Sequence, residues 1–184
     1  MDRVIELNEL QSSIGSPCPS LLMDGTHLYV TYHMQEEPVD FEFEAIGLVK
    51  FSGVYLHKLG APNEEAFHGH PLYENGLRPF GTFVVENSSW IKECMERNKV
   101  HSYHSDANFK PFKHYVWSFH DETLEVIAKS YEFRLTQGSP NSVLLQQING
   151  EIQWWMRITK KLFRSQARWD NYSLAGASRS IASK

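Results

Sequence analysis

Residues 115–128 constrain the fold of this chain more than any other stretch. Tyr115-Val-Trp-Ser-Phe119 and Leu124-Glu-Val-Ile-Ala128 both suit a sheet, and only His120-Asp-Glu-Thr123 separates them. Two such runs joined by four residues predict an antiparallel hairpin. Pairing Phe119 with Leu124 sets Trp117 opposite Val126 and Tyr115 opposite Ala128, all on one apolar face. The other face then pairs Val116 with Ile127 and Ser118 with Glu125, leaving Glu125 beside the tip, where water can reach it.

Further strands are expected around this hairpin. Asp24-Gly25 is a turn signal ahead of residues 26–34, where Leu28, Val30 and Tyr32 alternate with Tyr29, Thr31 and His33. Segments 41–49, 51–56 and 80–86 read as strands, with a break near Lys50, and Tyr131, Phe133 and Leu135 extend the second hairpin strand. Residues 4–10 suit a short strand or a helical turn. Segments 58–65 and 68–78, with several Gly and Pro residues, read as one long loop.

Two helices are predicted. Asn87 or Ser88 can cap one over 90–97, whose stripe is Trp90, Ile91, Cys94 and Met95, with Asn98 at the left-handed position that ends it. Ser139-Pro140 opens another over 141–163, carried by Leu144, Ile148, Ile152, Trp155 and Met156. The fold class is therefore α+β: a mostly antiparallel sheet of about six strands, one short capped helix and a C-terminal amphipathic helix. Residues 1–138 form the domain, 139–172 the basic amphipathic helix, and 173–184 a small, polar, disordered tail.

Charge excludes some partners. Residues 151–184 carry seven basic and two acidic residues, a balance of +5, while residues 1–150 carry eleven and twenty, a balance of −9. An acidic body repels phosphate backbones, which argues against nucleic acid. No run approaches the roughly 20 apolar residues of a membrane span, and the first ten residues do not read as a secretion signal. The Trp-rich, basic stretch 154–168 could lie on an anionic membrane or in a partner groove, but docking on its own sheet is the preferred reading. The two cysteines, Cys18 between prolines and Cys94 in the first helix, belong to no CxxC, so a reduced cytoplasmic protein is expected. Cys18 reads as a packed small apolar residue.

Function is sought in the loops between Phe67 and Glu125, which hold six of the nine histidines. Gly69-His-Pro-Leu72, Asn87-Ser-Ser-Trp90 and Phe119-His-Asp-Glu-Thr-Leu-Glu125 occur in this order. In these segments, and in 14–19 and 60–65, the chain resembles a family of uncharacterised bacterial proteins marked by GHPL, NSxW and FHDxTxE motifs. The resemblance covers roughly residues 14–134 and implies a bacterial origin, with no activity attached.

Three chemistries can be built from these loops. His120, Asp121 and Glu125 could act as acid and base, since imidazole titrates near neutrality beside a carboxylate. Against this, Asp121 and Thr123 also suit a tight turn, accepting backbone N–H bonds two residues on. His68, His70, His101 and His104 could line a ligand pocket. His70, His120 and Asp121 could gather a divalent metal from separate loops. The spacing of His68, His70 and Glu74 also resembles a cupin metal motif, although residues 71–76 read as a turn and no second motif follows. Trp90 and Trp117 are expected in the core. No nucleophile motif or phosphate-binding glycine loop is present.

Two functions of different class remain open. One is a cytoplasmic binding module that recognises a small ligand or a protein partner through the His-bearing loops. The other is an enzyme, metal-assisted or using His and Asp as acid and base.

Overall fold

The computed structural model describes residues 1–7, 12, 15–34 and 45–147. Among them are nine strands: β1 Arg3–Glu6, β2 Ser20–Met23, β3 His27–His33, β4 Ala45–Ser52, β5 Leu56–Gly60, β6 Thr82–Glu86, β7 Lys113–Ser118, β8 Thr123–Ala128 and β9 Ser130–Gln137. They form two antiparallel sheets, one ordered β1-β6-β7-β8-β5 and the other β2-β3-β4-β9. An α-helix, α1, spans Ser89–Asn98, and a second begins at Pro140. The mostly antiparallel architecture is as expected, but nine strands in two sheets replace about six in one.

Two facing sheets explain the aromatic content. Leu28, Val30 and Tyr32 of β3 and Val49 and Phe51 of β4 meet Tyr115, Trp117, Leu124, Val126 and Ala128 of β7 and β8 in one buried cluster. Phe51 stands edge-on to Trp117 at 5.0 Å between ring centroids, an arrangement that suits the opposed charge distributions of ring edge and face.

The hairpin forms with another register. Trp117 pairs with Leu124, Tyr115 with Val126 and Ser118 with Thr123, two residues away from the expected pairing. The tip explains the shift. Phe119 leaves the strand, its N–H donates to the Glu122 carbonyl, and its ring packs on Tyr32. A slip of two residues keeps every side chain on its face, whereas a slip of one would invert them all. Trp117 and Val126 are accordingly buried as expected. Glu125, expected within reach of water beside the tip, is buried as well, because it lies opposite Val116.

Other differences have local causes. Lys50 does not break its strand, because it pairs with Tyr29 and Glu132 and extends its ammonium over the Tyr29 ring. β9 does not prolong β8. Only Lys129 lies between them, and β9 pairs with β4 in the other sheet. The 58–65 loop begins as strand β5, which pairs with β8 as far as Gly60. Asn98 is helical, and Lys99 follows it as the cap. Cys18 is exposed, within hydrogen-bond distance of the Ser16 hydroxyl, rather than packed.

The chain divides into two units, Met1–Leu144 and Leu145–Lys184. A helix starts at Pro140 as the sequence predicts. Ser139 and Ser142 cap it reciprocally, each backbone N–H donating to the other hydroxyl. Val143 and Leu144 are buried against Tyr29, Ile46 and Leu48. Residues 145–147 are helical. The remainder of the predicted 141–163 helix, with Ile148, Ile152, Trp154 and Trp155, the stretch 154–168 and the tail all lie outside the described residues.

Candidate functional site

The outer face of the five-stranded sheet carries the site. On β7 that face presents His114, Val116 and Ser118, and on β8 it presents Thr123, Glu125 and Ile127. Most of it is covered. Phe67, Leu72 and Leu77 pack on Phe83, Val85 and Val116, while Cys94 and Phe109 pack on Ile127.

Local sequence aims the covering side chains. His70 precedes Pro71, whose ring disfavours helical backbone in the residue before it, and His70 is extended at φ −67° and ψ 134°. Its ring stacks on Phe67. Residues Tyr73–Asn75 then make a single 3-10 turn closed by Gly76 at φ +104°, a backbone conformation natural to glycine. At the other cover, Asn87 sits at φ +56°, which asparagine tolerates better than most residues, and turns the chain from β6 into α1. Ser88 follows as the cap, its hydroxyl accepting the Ile91 N–H at 3.2 Å.

Glu125 joins these segments. Its Oε1 lies 3.1 Å from His70 Nε2 and 2.6 Å from Lys58 Nζ, and its Oε2 lies 2.9 Å from His114 Nε2. Lys58 reaches it because β5 pairs Lys58 directly with Glu125. The side chains of Glu125, His70 and His114 are 7%, 3% and 2% exposed, that of Lys58 58%.

Hydrogen bonding assigns the protons. The Leu72 N–H donates to His70 Nδ1 at 3.1 Å, so that nitrogen offers a lone pair and Nε2 carries the proton donated to Glu125. His114 Nε2 likewise donates to the carboxylate, and its Nδ1 lies 3.0 Å from the Ser88 hydroxyl. Burial pushes the Glu125 carboxyl up, but the donors from His114, His70 and Lys58 outweigh it and hold the group well below the usual carboxylate range. Glu125 is a fixed anion at neutral pH.

A cleft of about 400 Å³ opens above this group, lined by Lys58, His70, Pro71, Leu72, Ser89, Trp90, Glu93, His114 and Glu125. Half-buried Trp90 walls it, 5.0 Å from the His114 ring, with Lys58 Nζ 4.8 Å from its own ring centroid. Trp90 was expected in the core; it packs beside Cys94 yet keeps a face on the cleft.

The candidate residues divide. Of the ligand-binding set, only His70 lines the cleft. His68 is exposed on the 3-10 turn Phe67–Gly69. His101 accepts the Tyr103 N–H, and His104 bonds to Asn98 and Asp106, local roles in the loop after α1. Of the acid–base set, Glu125 is in the cleft, whereas His120 and Asp121 sit at the hairpin tip. There His120 Nδ1 meets Asp121 at 2.8 Å and Nε2 meets Glu64 at 3.1 Å. The Asp121 hydrogen bond raises the His120 pKa, partial burial opposes it, and Glu64 and Glu65 add to the rise. The turn roles differ from expectation too: the Thr123 hydroxyl donates to the Pro62 carbonyl, and Asp121 engages the His120 ring.

The proposed metal set shares no partner, since His70 bonds to Glu125 while His120 and Asp121 bond to each other. Among the described residues no three His, Cys, Asp or Glu side chains are arranged to hold a metal ion. The cupin-like spacing falls on turns, with Glu74 in the 3-10 segment.

Lys58, His114 and Ser88 were not foreseen as site residues. The available signal was the alternation His114, Val116, Ser118 on the same strand face as Glu125, together with a serine at a helix start. The chain matches no protein-family model, no curated protein and no solved structure.

Proposed function

We propose that this chain is a binding module, and that the cleft above Glu125 receives a small ligand or a protruding side chain of a protein partner. One observation carries the reading. The three segments that support the family resemblance, Gly69–Leu72, Asn87–Trp90 and Phe119–Glu125, are far apart in sequence and meet at this cleft, supplying His70, Trp90 and Glu125. A turn or a core needs no such meeting of ionic and aromatic groups. The volume is within the usual range for small-molecule sites, and an aromatic wall over a few fixed polar groups is their common composition. The wider reading assigns the chain to the bacterial family it resembles and to a reducing cytoplasm, which its two free cysteines support. Among the described residues no helix is long and apolar enough to cross a membrane.

A backbone-amide NMR screen of a broad fragment library tests this. Binders should shift Lys58, Leu72, Trp90 and Glu125 together, and Trp90→Ala should weaken them about fivefold, in line with losing one aromatic contact. Binders that all map elsewhere would remove the reading.

An acid–base enzyme is the second reading, favoured by the hydrogen-bonded chain from Ser88 through His114 to Glu125. It ranks lower because Ser88 is buried and already caps α1, and Glu125 already accepts three donors. A metal-assisted variant would need both histidines to give up the Nε2 protons they donate to Glu125.

A further inference from the structure

We propose that the cleft selects a cationic group, a primary ammonium or a guanidinium on a slim aliphatic chain, and that Lys58 is its built-in competitor. The inference rests on the binding reading and names the ligand class. Lys58 already shows what the site holds: an ammonium 2.6 Å from the Glu125 carboxylate and 4.8 Å from the centroid of the Trp90 ring. A carboxylate accepts a charge-assisted hydrogen bond from an ammonium, and an aromatic face attracts the same charge through its ring quadrupole.

The remaining groups favour the same sign. His70 and His114 spend their Nε2 protons on Glu125, so neither offers a donor to an anion. Glu93, at the margin of the cleft, adds a second negative group, although it also pairs with Arg97. The N-terminus of α1 borders the cleft at Ser89 and Trp90, but Asp2 already accepts the Ser89 N–H and hydroxyl, so an anion would meet chiefly Lys58, against the field of Glu125. Pro71, Leu72 and the Trp90 ring suit the methylenes of a lysine- or arginine-like chain.

Lys58 can leave. It stands on β5, the terminal strand of its sheet, and its side chain is 58% exposed. Ion pairs of that kind contribute little, so a ligand cation competes on nearly equal terms. Removing Lys58 frees the carboxylate and deepens the negative field together. Affinity for a cation should therefore rise about fivefold or more, roughly the factor that one exposed ion pair represents.

The test uses the full chain, isotope-labelled, titrated with N-acetyl-arginine amide, N-acetyl-lysine amide and N-acetyl-glutamate amide. The Trp90 indole and the Lys58, Leu72 and Glu125 amides are followed in the wild type, in Lys58→Met, and in Lys58→Gln should the methionine variant lose its native spectrum. Either cationic probe is expected to shift the cleft and to bind about fivefold tighter once Lys58 is replaced. Trp90→Leu should weaken it about threefold. The glutamate probe should leave the cleft unmoved. Binding of the glutamate probe, lost with Lys58, would overturn the cation assignment while leaving the binding reading intact. Equal affinity with and without Lys58 would overturn its role as competitor. No cation binding in a natively folded Lys58 variant would overturn the proposal, and the fragment screen would decide separately whether the cleft binds anything.

Discussion

Replacing Glu125 with glutamine should destabilise the protein far more than the loss of a surface charge does. The change keeps side-chain size and removes the anion that accepts from His70, His114 and Lys58. Glutamine offers one oxygen and one N–H₂ group, so at least one of the two buried Nε2–H groups must face another donor. Breaking a buried, hydrogen-bonded charge network costs about 3–5 kcal/mol. The exposed Lys58 partner adds at most about 1 kcal/mol. In a chain of this size each kcal/mol moves Tm by roughly 2–4 °C, so a fall of about 6–24 °C is expected. Urea unfolding at pH 7 measures the free energy directly, with Lys58→Met as the control that should lose about 1 kcal/mol or less. The pH dependence supplies a sign. The folded-state pKa of Glu125 is depressed, so its contribution is complete above the unfolded carboxylate value of about 4.3 and is lost as pH falls through the folded value. The gap between wild type and Glu125→Gln should thus be flat from pH 6 to 8 and narrow only in the acid range, below about pH 4. A loss near 1 kcal/mol, or a gap that changes most between pH 6 and 8, would refute the buried-anion account.

The hairpin tip should titrate in the opposite sense: His120 is held above the ordinary imidazole range by Asp121, and Asp121→Asn should lower it in an NMR titration. Its stabilising effect is complete below the unfolded imidazole pKa and is lost as pH rises through the folded value, so no such loss between neutral and alkaline pH would count against the contact. Gly47→Ala would bring a Cβ to 2.8 Å from Met34 Sδ and 3.0 Å from the Tyr32 ring, and should cost about 1–3 kcal/mol in thermal unfolding; a neutral result would mean that β3 and β4 are placed wrongly. Ser88→Ala removes both the α1 cap and the His114 partner, and should cost about 1–2 kcal/mol, more than an ordinary surface serine.

What could be read from the sequence was local. Alternation marked β3, sheet-forming runs marked β6, β7 and β8, turn-type residues marked the connectors, and Ser88 and Pro140 marked helix starts, since period and capping depend on neighbours along the chain. The face of Trp117 survived a register error because strand faces repeat every two residues. The environment of Glu125 did not survive it, because a shift of two residues carried the carboxylate from beside the tip to a position opposite Val116. Sheet membership was equally hidden: nothing near Lys129 announces that β9 leaves for the other sheet. The site itself depends on three contacts to one carboxylate across 67, 55 and 11 residues of chain. Histidine density pointed to the region that contains the cleft, and His70 and Glu125, which line it, were among the candidates. The spacing of residues could not show that His120 and His101 bond locally while His114, inside an apolar strand, turns toward Glu125.

The central claim is that Glu125 is the shared acceptor that closes these segments into one cleft, and the protons on the two imidazoles test it most directly. A long-range nitrogen–proton NMR spectrum of the histidine rings at neutral pH should show His70 with its proton on Nε2 and a bare Nδ1, and a proton on His114 Nε2, both Nε2 signals moving in Glu125→Gln. A His70 ring protonated on Nδ1, or Nε2 signals indifferent to the substitution, would contradict it.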